Sequence, residues 1–153
     1  MRVLDRQRKW RTRRGAVIVE FALIVPFLFI VVFGVIDFSR AYSQLNAINA
    51  GLREGARFAS VMRKDVLEGT GAQGLVRQKV QATAAVFGYN SLDANKVTLT
   101  LVTDPGTGSQ FAVVTVTAHP VPLPVLGKFL GLAPFSITRS VRYRWERTNE
   151  DLP

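Results

Sequence analysis

The chain contains no cysteine and a single histidine, His119. The missing thiols exclude a disulfide framework and thiolate metal sites, and with one imidazole there is no material for a common zinc site or a Cys–His nucleophile pair. An exported domain of this composition must be held by a packed core. Eleven acids are present, but no pair is marked out by its spacing as a general acid and base. The stretch GTGAQG at 69–74 resembles a phosphate loop only in its glycines: it lacks the Gly-Lys-Ser/Thr ending and any dinucleotide fingerprint. His119, beside Pro120 near a strand end, reads as structural. The sequence therefore argues against catalysis and calls for no cofactor, metal or small-molecule substrate. No internal repeat is evident.

What the chain does have is a long apolar run. Residues 16–36, AVIVEFALIVPFLFIVVFGVI, carry one charge, Glu20. At about 1.5 Å per residue, 21 residues of helix span about 30 Å, the hydrocarbon thickness of a bilayer, so the sequence predicts a membrane anchor with lipid as its first partner. Residues 1–15 hold seven bases against Asp5, a net of +6 out of +9 for the whole chain. The outer flank of the run has only Asp37 and Arg40. This asymmetry predicts a single pass through the cytoplasmic (inner) membrane, with the amino terminus in the cytoplasm and the remainder outside. A secretory signal peptide shares the basic start, but its apolar region is shorter and ends at a small-x-small cleavage site, which is not found close by. Nucleic acid is not an expected partner. The excess charge is the orienting flank of the span, and the one other basic cluster, Arg139, Arg142, Arg144 and Arg147, is interrupted by Glu146.

Beyond the apolar run the helical pattern continues. Leu45, Ile48, Leu52, Ala56, Ala59 and Met62 recur at spacings of three and four, which predicts one helix from about 16 to 62 whose outer half is amphipathic. Pro26 removes a backbone donor and crowds the carbonyl of Ala22, predicting a kink. A Gly-rich breaker, EGTGAQG, precedes a second helix with Val76, Val80, Ala84 and Phe87 on one face, ending at Gly88. The period then changes to two. Val97, Leu99 and Leu101 alternate with threonines, Ala112, Val114, Val116 and Ala118 share a face, and DPGTGSQ between them suits a longer hairpin loop. The four prolines of PVPLPVLGKFLGLAP at 120–134 exclude a central strand there and suggest a crossover. A last strand follows, with Phe135, Ile137, Arg139, Val141, Tyr143 and Trp145 on one face.

The fold class expected is α+β: a long transmembrane helix continuing into a small extracytoplasmic domain with a second helix and an antiparallel sheet of about three strands. The corresponding boundaries are a basic cytoplasmic leader at 1–15, the transmembrane helix at 16–42 and the outer domain at 43–153. Two features of the long helix stand out. Ala47, Gly51, Gly55 and Ala59 form a ladder of small residues four apart, although each glycine inside a helix costs up to about 1 kcal/mol relative to alanine. The ladder requires a close neighbour, either the chain's own second helix and sheet or another subunit. Glu20 is costly in a span. It either reaches water near the cytoplasmic end or pairs with a cation in a helix assembly, and its context favours pairing.

Gly15, four apolar residues, Glu20 and Phe21, behind a basic leader, resemble the processing site of type IV prepilins. The stretch RRGAVIVEFALIVPFLFIVVFGVIDFSRAYSQ, followed by NAGLREGARFAS, is similar to the TadE-like family of minor pilins. The resemblance covers about 16–60. It implies that a prepilin peptidase cuts after Gly15 and leaves Ala16 as a free amino terminus, which Glu20 of a neighbouring subunit then pairs. It also implies a minor pilin or pseudopilin of a Tad (Flp) pilus system, concerned with tight adherence or secretion and contacting other pilin or pseudopilin subunits. An unprocessed single-pass anchor carrying an extracytoplasmic binding domain is the alternative.

Overall fold

The long helix, α1, runs Val3–Ser60 without a break in the computed structural model, which describes the backbone of residues 3–145 and the side chains of residues 15–145. The side chains of the basic leader, and Glu146 and Arg147 of the arginine cluster, lie outside the described residues. The helix begins well before the expected residue 16. Lys and Arg are good helix formers, and between Val3 and Gly15 neither glycine nor proline interrupts them. It ends at Ser60, whose hydroxyl donates to the Arg57 carbonyl at 2.8 Å. A short helix not anticipated from the sequence, α2 (Lys64–Leu67), follows and buries Leu67. Helix α3 (Ala72–Val86) comes next, and the three strands are β1 (Val97–Thr103), β2 (Gln110–Val121) and β3 (Phe135–Arg144), with a five-residue helix α4 (Leu126–Leu130) between the last two.

The chain divides into two compact units, and the division falls within α1. The first comprises residues 1–39 with 123–132. In it α1 presents Val17 to Ile36 largely uncovered, with Phe27 70% and Leu23 67% exposed. This helix is long and apolar enough to cross a membrane.

The second unit comprises residues 40–122 and 133–153. Its core joins the stripe Ala47, Ile48, Leu52, Ala56, Ala59 and Met62 to Val76, Val80 and Ala84 of α3 and to Val97, Ala112, Val114 and Val116 of the sheet. The 3.6-residue period of the helices and the two-residue period of the strands thus meet in one apolar layer. Leu45, at the start of the stripe, is only half-buried. Phe87 departs from its expected place: α3 ends at Val86, Phe87 is the cap, and its ring is 59% exposed. Gly88 then takes φ +84, a left-handed conformation suited to glycine at a helix end.

The sheet is an antiparallel meander in the order β1-β2-β3, so β2 is central. Two sequence expectations fail here. Pro120 was expected to lie outside any central strand, yet it belongs to β2 and stands opposite Ser136. The reason is that β1 pairs β2 only as far as Val116. Beyond that point β2 has a single neighbour and is locally an edge, where a missing N–H is tolerated. The segment that follows is not a crossover either, because it joins adjacent antiparallel strands. Ala118 also leaves its expected face. The register shifts between Val116 and His119, Ala118 takes φ 47, and the bulge turns Ala118 outward while His119 and Val121 are buried. In β3 the inward positions Ile137 and Val141 pack against the core, and Trp145 is buried beyond the strand end, donating its indole N–H to the Met62 carbonyl at 2.9 Å.

Candidate functional site

Glu20 and Phe21 project from the uncovered part of α1, and both are exposed, Phe21 by 66%. Among the described residues, and apart from the helix's own neighbouring backbone, nothing lies within 4 Å of the position a Cβ on Gly15 would occupy. Packing among the described residues therefore places no demand for glycine at that position. Ala16 follows on the same exposed helix, and Pro26 sits inside unbroken helical backbone.

The ladder of small residues lies in the second unit and is fully used within the chain. Ala47, Gly51, Gly55 and Ala59 are all buried. A Cβ on Gly51 would stand 2.7 Å from the Val80 carbonyl oxygen and 3.2 Å from its Cγ1; one on Gly55 would collide with Val80 Cγ2. Without side chains at these two positions, α3 rests its backbone directly on α1. Lys79 Nζ meets Glu54 at 3.4 Å on the flank of the same contact, a half-exposed pair worth at most about 1 kcal/mol. Further along, the Arg77 guanidinium donates to the Val97 carbonyl at 2.8 Å and Gln81 to the Leu92 carbonyl at 2.8 Å, tying α3 to the start of β1.

His119 packs edge-on against Tyr89, with the Tyr89 hydroxyl 2.5 Å from Nε2. Burial, aided by the nearby Lys96 cation, holds the imidazole below its ordinary value, while Asp93 opposes the shift. Burial likewise raises the Tyr89 phenol. Nδ1 of His119 is buried without a partner. A neutral imidazole accepting from the phenol fits this setting. The pair pins β2 to the loop after α3, and it lacks the third group that would orient a base. Among the described residues no group of three or more His, Asp or Glu is placed to hold a metal ion.

Asp37 was read from the sequence only as a flanking charge. The structure buries it to 2% exposure. Its carboxylate accepts from the Leu126 N–H at 2.6 Å and from the Val125 N–H at 3.2 Å to each oxygen. The acid on α1 thereby satisfies the first backbone donors of α4, which would otherwise be orphaned at a helix start. The Leu126 side chain lies against Gly34, where a Cβ would be 3.2 Å from its Cδ1. Nothing local in the sequence signals this clamp, because its partners are 88 and 89 residues apart.

Among the described residues, one helix is long and apolar enough to cross a membrane, and it leads into an α+β domain, the architecture of a single-pass membrane protein. Residues 15–57 are similar to the family model of the TadE-like proteins. The match covers α1 from Gly15 through Arg57, including Glu20, Pro26, Asp37, Gly51 and Gly55, and stops before the sheet. No curated protein and no solved structure matches the chain.

Proposed function

We propose that the chain is a minor pilin or pseudopilin of a Tad-type pilus, acting structurally in pilus assembly and adherence. The observation that carries this reading is the match to TadE-like proteins over a helix that exposes both its apolar surface and Glu20. A carboxylate on such a surface is costly in lipid unless it meets a cation. In the assembled state that cation is the amine of Ala16 on a neighbouring subunit, freed by a prepilin peptidase cutting after Gly15. The glycine supports this reading, since no packing among the described residues requires it. Glycine also lowers the cost of opening the helix for cleavage, by about 1 kcal/mol relative to alanine. The helix lies in the cytoplasmic membrane with its basic flank inside and the α+β domain outside.

An unprocessed anchor is the second reading, and the observation favouring it is that α1 continues unbroken through Gly15. Mass spectrometry of the membrane-extracted protein, from cells that possess the peptidase, separates the two. A mature chain starting at Ala16 is expected. A chain still beginning at Met1 would overturn processing and favour the anchor.

A further inference from the structure

The segment Leu123–Leu132, LPVLGKFLGL, belongs to the same compact unit as the first part of α1. Its only charge is Lys128. Phe129 is 73% exposed, Leu130 50% and Leu132 53%. Such a concentration of uncovered large apolar side chains in ten residues needs an occupant.

Its position on α1 identifies that occupant. The Asp37 carboxylate holds the N–H groups of Val125 and Leu126, and Leu126 lies against Gly34. The segment is therefore fixed beside the last turn of the apolar run. From Glu20 to Asp37 the helix rises about 25 Å, somewhat less than the thickness of a bilayer core. Whatever surrounds the outer end of the span also surrounds α4.

The backbone of the segment is suited to that place. Lipid admits irregular backbone only where its polar groups find partners within the protein. Here Asp37 takes the first donors, the Phe129 N–H donates to the Val125 carbonyl at 3.0 Å, and the Leu132 N–H donates to the Gly127 carbonyl at 2.8 Å. Two glycines close the turn. A Cβ on Gly127 would lie 2.9 Å from that of Leu123, and Gly131 takes φ +66. Lys128, exposed among the apolar side chains, has a stem long enough to reach headgroup phosphates while Phe129 and Leu130 stay in the acyl region.

We infer that Leu123–Leu132 is a membrane-interface element: clamped to α1 by Asp37, it inserts Phe129, Leu130 and Leu132 into the outer-leaflet boundary of the lipid that surrounds the span. The inference rests on the reading of α1 as membrane-spanning. It gives the anchor a second, lateral foothold and fixes both the depth and the rotation of the helix.

Because the chain has no cysteine, single nitroxide labels report depth directly. The full chain is reconstituted into phosphatidylcholine–phosphatidylglycerol vesicles with a label at Phe129→Cys, Leu132→Cys, Val32→Cys in the span, or Thr70→Cys in the exposed α2–α3 loop. Collisions with oxygen, which concentrates in lipid, are compared with collisions with a water-soluble nickel chelate. Labels at 129 and 132 are expected to lose most nickel collisions and to resemble the label at 32. Nickel access equal to that at 70, with 32 still in lipid, would overturn the inference and leave the span intact. Nickel access at 32 would overturn the span and the inference together. Shielding of 129 and 132 from both reagents would mean that protein, such as a second copy of the chain, covers the segment, and would also overturn the inference. Asp37→Ala is expected to move the label at 129 toward water without moving that at 32; an unchanged depth at 129 would overturn the clamp.

Discussion

Glu20 and His119 are ionisable groups in opposite situations. Glu20 is exposed in the single chain and, in the proposed assembly, becomes buried opposite a neighbour's amine. If that pairing holds, Glu20→Leu leaves the amine unpaired, a loss of roughly 3 to 5 kcal/mol per contact. Pilus formation and subunit crosslinking should then fail at wild-type abundance, while membrane insertion and cleavage survive. If Glu20 merely reaches water, the same substitution removes a polar cost and assembly is normal or improved, an outcome that would sink the pairing mechanism. His119 is already buried, beside Tyr89, and its imidazole is held below its ordinary value chiefly by burial. A depressed folded value means that the unfolded chain binds the proton more readily. The contribution of His119 to stability is therefore complete above 6.5, the ordinary imidazole value, and is lost as pH falls from there through the folded value. Thermal unfolding of the full chain in detergent should show a decline between neutral pH and mild acid that is weaker in His119→Gln. An identical pH slope in that variant would show that other groups carry the dependence.

Between elements, the decisive contact is α3 on α1. Gly51 and Gly55 let the two backbones approach, and each resists substitution because Val80 fills the space a side chain would need. Overpacking at such a site costs about 1 to 3 kcal/mol. Gly55→Ala should lower the unfolding midpoint of the full chain, with Gly51→Ala acting in the same direction against a carbonyl that cannot move aside cheaply. Gly74 provides the contrast. It lies inside α3 with nothing within 4 Å of a Cβ, so Gly74→Ala should stabilise by up to about 1 kcal/mol through helix propensity. Opposite signs for these glycines, measured by circular dichroism on heating, would establish that the ladder is an intramolecular packing surface. A neutral Gly55→Ala would instead mean that the two helices are not in close contact in solution.

For the molecule as a whole, the charge asymmetry about the span predicts its orientation. With a net +6 in residues 1–15 and no comparable cluster after Ile36, the basic end of the span is expected to face the cytoplasm. A protease added to cells stripped of any outer membrane should degrade the α+β domain. Protection of that domain would reverse the topology. The same arrangement explains how the chain folds without disulfides: one apolar layer between α1, α3 and the sheet supplies the core, and the apolar run of α1 adds surface suited to lipid or neighbouring helices.

Local pattern was enough to reveal the uncovered apolar helix at 16–36, the buried stripe from Ile48 to Met62, the face of α3 through Val76, Val80 and Ala84, and the alternation in β1 and β2, because each follows from the repeat of a single element. The small-residue ladder was equally legible as a demand for a close neighbour, but the sequence left that neighbour open, and tertiary structure identified it within the chain as Val80. Pro120 could enter the central strand because β1 stops pairing at Val116, a fact about a neighbouring strand that no local proline rule contains. Asp37 is the clearest case. Its charge was visible at the end of the apolar run, but its burial and its hold on Val125 and Leu126 depend on chain folded back from 88 residues away. Side-chain periodicity records which face of an element is covered, whereas the partner that covers it is fixed only when distant segments meet.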